Sequence, residues 1–334
     1  MPSLLTTSRF AADLRAELAR RRRAIGRTWD VFEVAPGEHL LEEALGGVDI
    51  AFFPGDFTAD PLLTRSFFGA AMRAPNLRWM HLPNAGTDAP IFARLLERGV
   101  RLTTSSGASA APIAQSAIGG MLALARGMTQ WWDAQRRHAW EPTNLRSPPP
   151  DLAGQTMVVV GLGAIGREIA RLARAIGLRV VGVRRSARSP EDPVDDVRAP
   201  AELTALLPET DWLVLACPLT EETIGWIDRD RLSLLPRGAH LINVARGGIV
   251  DQAALIEALR LGKLAGAYLD VFEVEPLPPD SPLWELPNVV VSPHDSSPSA
   301  GNVGRQSAIF FRNLERLERG EPLENEVHRT AGSS

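Results

Sequence analysis

One stretch limits the fold of this chain more than any other: TMVVVGLGAIGREIARLARAIGLRVVGVRRS, residues 156–186. An all-apolar run leads into Gly161-Leu162-Gly163-Ala164-Ile165-Gly166, an amphipathic helical pattern follows, and a second apolar run closes the unit. Strand, turn, helix and strand within about 30 residues form a parallel βαβ unit with a phosphate-binding turn. Gly161 permits the tight turn, Gly163 lets a pyrophosphate approach bare backbone, and Gly166 lets the helix pack closely on the strand. The helix start at Ala164 and Ile165 adds unpaired N–H groups and a partial positive charge for the phosphates. The unit predicts a bound dinucleotide.

The second strand ends at Val183, and the position that would carry an acid against a ribose 2′-hydroxyl is Arg184, followed by Arg185, Ser186 and Arg188. A carboxylate there repels a 2′-phosphate, whereas guanidinium groups bind one bidentately. The exchange predicts NADP(H) over NAD(H), which stays possible. The plainer alternative is a pair of arginines facing water.

The rest of the chain repeats the alternation of short apolar runs and helical periodicity, an α/β pattern with parallel sheets. Strands are expected within 48–57, 76–88 and 100–112, and one long helix over 113–140. A proline-rich break covers 146–155. Beyond it, strands are expected at 156–160, 179–183, 212–216, 239–243, 266–270 and 288–291. Helices are expected at 164–176, 200–207, 229–234, 251–261 and about 300–319. At 334 residues, two domains are expected. A formal net charge of −4 offers no footprint for nucleic acid or an anionic membrane. The basic run at 15–27 reads as a solvated helix face. The single cysteine, Cys217, suits a reducing compartment. The opening MPSLLTTSRF lacks a signal-peptide pattern, and no run of about 18 apolar residues occurs. A cytoplasmic protein without a metal site is expected.

A nicotinamide cofactor needs a proton donor for the developing alkoxide and a cation to orient the substrate. Three strand ends offer them. LINVARGGIVD (241–251) carries Arg246. AYLDVFEVEPLP (267–278) carries Asp270 and Glu275. NVVVSPHDSS (288–297) carries His294. A histidine suits proton transfer near neutral pH, and a neighbouring carboxylate orients the ring and favours its charged form. These ends sit where ligands bind in open α/β sheets.

Here the chain resembles the D-isomer-specific 2-hydroxyacid dehydrogenase family, which includes phosphoglycerate dehydrogenase and glyoxylate/hydroxypyruvate reductases. The likeness runs through LAGQTMVVVGLGAIGREIA, LACPLTEETIGWID, LINVARGGIVDQAAL, AYLDVFEVEPLP and VVVSPH, in the family's order. Fainter echoes are NAGTD (84–88), IAQSAIGGMLALARG (113–127) and RGEPLENEV (319–327), so about 76–327 is covered.

The resemblance implies that Arg246 binds the substrate carboxylate and keto oxygen. By it, His294 is general acid in reduction and base in oxidation, and Glu275, before Pro276, pairs with it. It places Asp270 near the nicotinamide carboxamide, and Cys217, Pro218 and Ala245 along the cofactor. It gives Asn84, Ala85 and Gly86 a grip on the substrate carboxylate. The implied fold is two Rossmann-like lobes. Residues 1–113 with 298–334 form a flavodoxin-like substrate lobe, and 114–297 a doubly wound cofactor lobe, with catalysis in the cleft as they close. A homodimer through the 113–138 helix is expected, and Trp131, Trp132 and Trp140 are read as packing or dimer contacts in preference to a substrate gate. Cys217 is read as a buried neighbour of the cofactor, and His39, His81, His138, His240 and His328 as surface or packing residues. The chain departs from the family at Gln115, where glutamate is common, and at Asp295-Ser296-Ser297, where an apolar residue and glycines are usual. Asp295 is therefore expected to alter the surroundings of His294 or reshape the substrate pocket.

The expected activity is reduction of a small 2-keto acid, such as glyoxylate or hydroxypyruvate, to the (R)-2-hydroxy acid. The alternatives are an NAD-linked dehydrogenase of another D-2-hydroxy acid, or a dinucleotide-sensing, corepressor-like binding protein.

Overall fold

The computed structural model describes residues 2–55, 57, 59–87, 89–142 and 148–327. Asp88, His328 and the first two residues of the proline-rich break, all named above, lie outside the described residues. The chain divides into two compact units, Met1–Ser109 with Ser299–Ser334, and Ala110–Pro298.

In the first unit the order is β1 (Ser3–Thr7), α1 (Ala11–Ile25), β2 (Asp30–Val34), α2 (Glu42–Leu45), β3 (Val48–Phe52), α3 (Pro61–Arg73), β4 (Trp79–Leu82), α4 (Pro90–Glu97) and β5 (Arg101–Thr104). The second unit contains α5 (Ala110–Ala125), α6 (Met128–Arg136), β6 (Thr156–Val160), α7 (Ala164–Ala175), β7 (Arg179–Val183), β8 (Asp196–Arg198), α8 (Leu203–Leu206), β9 (Trp212–Leu215), α9 (Arg229–Leu234), β10 (His240–Asn243), α10 (Gln252–Arg260), β11 (Gly266–Leu269) and β12 (Val289–Val291). The chain then returns to the first unit with α11 (Asn302–Glu318) and β13 (Glu326–Val327).

The second unit's sheet is wholly parallel, in the order β12-β11-β10-β9-β6-β7-β8. The chain winds outward from β6 in one direction and then restarts at β9 in the other. The switch point therefore falls between β6 and β9, the place where such sheets bind ligands at their carboxyl ends. Helices cover both faces, so successive residues of one strand enter opposite cores. Val158 and Val160 join Leu213, Leu241 and Leu269 on one face, while Met157 and Val159 join Ile169, Trp212 and Tyr268 on the other.

The first unit's sheet runs β13-β5-β4-β3-β1-β2. It has the flavodoxin-like order, with β13 added antiparallel at one edge. Its last helix is built into the core: Phe310 stacks on Phe52 at 4.2 Å between ring centroids and on Trp79 at 5.3 Å. The basic run starts on α1 and runs past its end: Arg21 of α1 pairs with Glu315 of α11, and Arg27, beyond α1, pairs with Glu318.

The helix expected over 113–140 is two helices. Gly127 adopts the left-handed conformation at φ 68°, which ends α5 and restarts the chain as α6. The helix expected over 200–207 is one α-turn between two 3₁₀ turns, each carrying a proline. Strands β1, β2, β8 and β13 left no periodic signal strong enough to read.

Candidate active site

The glycine turn has the dimensions a dinucleotide needs. A Cβ added to Gly161, at φ 97°, would lie 2.6 Å from the Ala216 carbonyl oxygen and 2.7 Å from Cys217 Cα. That position therefore admits only glycine, and it packs against the end of β9 across the switch point. A Cβ on Gly166 would fall on the carbonyl of Gly161, so the third glycine is required by close helix–strand packing. Gly163 differs: nothing lies within 4 Å of its added Cβ. Protein packing does not demand glycine there, and the open space suits the approach of a phosphate to the backbone. Gly163 also caps α7 without a side-chain hydrogen bond, which leaves the helix start, at Ala164 and Ile165, to an anion. The chain fits the group.

Beyond β7 the two arginines part company. Arg184 is pinned: Nη2 lies 2.7 Å from Asp192 Oδ2, Nη1 donates to Asp192 Oδ1 at 3.1 Å, and Nε donates to the Ser186 carbonyl at 3.1 Å. Arg185, Ser186 and Arg188 are exposed. The position expected to meet the ribose is Arg184, with Arg185 after it; Arg184 is instead engaged by Asp192, and Arg185 is the exposed one of the two. Asp192, which holds one of them, carried no motif.

The catalytic candidates come from three consecutive strand ends of the second unit. After β10 the buried Asn243 folds the chain back on itself. Its Nδ2 donates to the Arg246 carbonyl at 3.1 Å, and its Oδ1 accepts from Ala245 N–H at 3.1 Å. The half-buried Arg246 donates from Nη1 to the Ala245 carbonyl at 2.8 Å. Gly247 then packs directly against the Phe272–Glu273 peptide beyond β11. That segment anchors Glu275, whose Oε1 accepts from Phe272 N–H at 3.0 Å. Its Oε2 lies 2.7 Å from His294 Nδ1. A carboxylate only accepts, so Nδ1 carries the proton of this bond and Nε2 is the ring nitrogen left for proton exchange. The structure thus brings Glu275 and His294 into contact and sets the residue after Arg246 against the segment that holds them.

His294 sits at φ 53°, in the left-handed region that non-glycine residues avoid. Asp270 holds it there. The Asp270 carbonyl accepts from His294 N–H at 2.8 Å, and its buried carboxylate accepts from Ser292 Oγ at 2.6 Å, Asp295 N–H at 3.1 Å and Ser296 Oγ. Tyr268 extends the brace, its hydroxyl 2.9 Å from Ser292 Oγ. Both carboxylate oxygens of Asp270 face this turn, an occupation its motif did not disclose. The departure at 295–297 is used structurally: Asp295 contributes its N–H and Ser296 its hydroxyl. Cys217 is mostly buried, which pushes its thiol up to about 11, so it stays protonated at neutral pH and is no nucleophile.

In the first unit, Asn84, Ala85 and Gly86 follow β4. Three successive carbonyls leading into this turn are held from inside. Leu82 accepts from Ser105 Oγ at 2.8 Å, Pro83 from Gln306 Nε2 at 3.0 Å, and Asn84 from Ser105 N–H at 3.1 Å. Beneath them lies His81, which burial holds down to about 3. The donors form one chain through its neutral Nε2–H tautomer: Trp79 Nε1 to Thr103 Oγ1 (2.9 Å), Thr103 to His81 Nδ1 (2.7 Å), His81 Nε2 to Ser105 Oγ (3.0 Å), and Ser105 to Leu82. Neither His81 nor Gln306 was identifiable as a support of this turn from sequence.

Residues 118–296 match the family model described as D-isomer specific 2-hydroxyacid dehydrogenase, NAD binding domain. The chain is 36% identical over 262 residues to a glyoxylate reductase of Korarchaeum cryptofilum, covering 76% of this chain and 77% of that one. It is similar to the crystal structure of a D-isomer specific 2-hydroxyacid dehydrogenase from Xanthobacter autotrophicus in complex with NADPH and MES. There the TM-score is 0.75, with 33% identity and 98% of each chain covered. A second similar structure is the NADPH-dependent glyoxylate/hydroxypyruvate reductase of Sinorhizobium meliloti in complex with NADP and sulfate. Its TM-score is 0.76, with 28% identity and 100% of each chain covered.

Proposed function

The chain belongs to the D-isomer specific 2-hydroxyacid dehydrogenase family, and from that premise we propose that it is an NADP(H)-linked reductase of small 2-keto acids, such as glyoxylate and hydroxypyruvate. The observation that carries this reading is the 2.7 Å contact between His294 Nδ1 and Glu275 Oε2, beside the turn that bears Arg246. When bound, the reduced nicotinamide supplies the hydride that reaches the keto carbon. Arg246 orients the substrate through its carboxylate and keto oxygen and stabilises the negative charge that develops on that oxygen. His294 donates the Nε2 proton to it and leaves as neutral imidazole, while Glu275 keeps the ring oriented through Nδ1. In the oxidative direction the same nitrogen accepts the proton. The glycine turn, with Ala164, Ile165, Cys217, Pro218 and Ala245, holds the cofactor. Asp270 is assigned to the nicotinamide carboxamide, and Asn84, Ala85 and Gly86 to the substrate carboxylate, by resemblance.

The preference for NADP(H) rests on the cationic turn after β7 and on the similar proteins crystallised with NADPH or NADP. We place the enzyme in the cytoplasm, as a homodimer through the 113–138 region, where Trp131 and Trp132 are 44% and 46% exposed in the single chain. Initial rates with NADPH and NADH over glyoxylate, hydroxypyruvate, pyruvate and 3-phosphohydroxypyruvate test the reading. Chiral analysis of the product completes it, and (R)-glycerate is expected from hydroxypyruvate. No turnover on any of these acids, or turnover with NADH alone, would end it. Light scattering of the purified protein tests the dimer.

A further inference from the structure

The acid missing from the end of β7 reappears eight residues later. Asp192 is shielded from solvent, and its carboxylate gathers two arginines and a backbone amide. Oδ1 accepts from Arg167 Nη1 of α7 at 2.7 Å and from Arg184 Nη1 at 3.1 Å; Oδ2 lies 2.7 Å from Arg184 Nη2 and accepts from Ser189 N–H at 2.7 Å. Arg184 also donates to the carbonyls of Ser186 and Ala187. All three of its nitrogens are engaged, and its side chain is only 16% exposed. The turn 185–189 is wrapped around this guanidinium, and Arg185 and Ser186 are carried on its outer side.

We propose that Asp192 is a specificity-setting, positioning residue for the cofactor. It withdraws Arg184 into the turn, neutralises it, and leaves Arg185 and Ser186 to meet a ribose 2′-phosphate. The inference rests on the NADP(H) reading and revises which arginine serves it. A phosphate that recruited Arg184 would have to break a two-pronged pair with a shielded carboxylate, which leaves that charge buried without this partner. Arg185 costs nothing comparable to recruit. Arg167 adds the link to the glycine turn: Asp192 ties the ribose end of the site to the first turns of α7, which begins at the phosphates.

Calorimetric affinities for 2′,5′-ADP and 5′-ADP test this without turnover, on the wild type, Arg184→Gln, Arg185→Gln and the double variant Asp192→Asn/Arg185→Gln. The wild type is expected to favour 2′,5′-ADP by at least about tenfold, the lower end for a charge-assisted contact. Arg185→Gln should lose most of that ratio and Arg184→Gln should keep it within about threefold. The double variant should recover threefold or more over Arg185→Gln, because freed Arg184 takes the phosphate. A merely structural Asp192 would lower both affinities together and give no such rescue. Equal affinities in the wild type would remove the NADP(H) reading itself. Selectivity lost in Arg184→Gln but kept in Arg185→Gln would leave that reading standing and overturn the role of Asp192. So would a folded double variant no better than Arg185→Gln. If the double variant melts below the assay temperature, the contrast between the two single variants decides.

Discussion

Gly247 offers the sharpest test of how the proposed catalytic groups are held. It follows Arg246, and a Cβ built on it would lie 1.8 Å from the Phe272 carbonyl carbon, 2.0 Å from its oxygen and 2.4 Å from Glu273 N. Unbonded carbons rest at about 3.5–4.0 Å, so Gly247→Ala forces the two segments apart by roughly 2 Å. Both are backbone, and neither can swing aside as a side chain could. One carries Arg246; the other anchors Glu275 through Phe272 N–H at 3.0 Å, and Glu275 holds His294 at 2.7 Å. The displacement therefore reaches all three functional groups together. A misplacement of about 1 Å can cost on the order of 100-fold in rate, and overpacking a well-filled site costs about 1–3 kcal/mol of stability. Gly248→Ala is the matched control. Its added Cβ meets only the Leu219 side chain, at 3.6 and 3.7 Å, which is ordinary contact. Steady-state kinetics with hydroxypyruvate and thermal melts should show kcat/KM reduced at least about 100-fold and a lowered Tm for Gly247→Ala, with Gly248→Ala close to wild type. Wild-type kinetics in Gly247→Ala, or equal damage from both variants, would refute the reasoning.

Three further outcomes are expected. His294→Asn should lower kcat by about 10²–10⁴-fold, the usual contribution of a positioned acid or base, and leave the melting midpoint in place because the ring is half-exposed; a loss under threefold would remove His294 from the proton path. Arg246→Lys should raise KM for the keto acid at least about tenfold, since an ammonium cannot reproduce the planar fork of a guanidinium; an unchanged KM would take the substrate away from this residue. Stability should fall in acid. Burial holds His81 at about 3 and His240 at about 4, below the 6.5 of the exposed group, so the unfolded chain takes up protons first as pH drops. Each histidine's share is intact above pH 6.5, is lost progressively down to its folded value, and amounts to about 2–3 kcal/mol by pH 4.5. His240→Phe, which can still stack on Trp212, should lose less stability between pH 7 and 4.5 in urea titrations, and an equal loss would sink the assignment.

The βαβ unit at 156–186 was legible because its signals are local. Apolar runs set the strands, a 3.6-residue period set α7, and Gly161 and Gly166 answer to atoms close by along the unit or at the neighbouring strand end. Arg246, Glu275 and His294 were legible for a related reason, since each follows a strand whose neighbours in the sheet are also its neighbours in the order of motifs. Gly127 shows the limit even of local reading: helical periodicity ran through it, but the backbone turned left-handed and split the helix.

By itself, then, the sequence determined the parallel α/β architecture and the phosphate turn through short-range pattern, and family motifs singled out the three side chains proposed to react. Only the tertiary structure decided which arginine after β7 is bound to Asp192, what Asp270 braces, and that His81 is a neutral link beneath Asn84. An arginine, an aspartate or a histidine reads the same in sequence whether it faces water or a partner. Pairing depends on where the folded chain returns and on how far burial shifts the balance between charged and neutral forms.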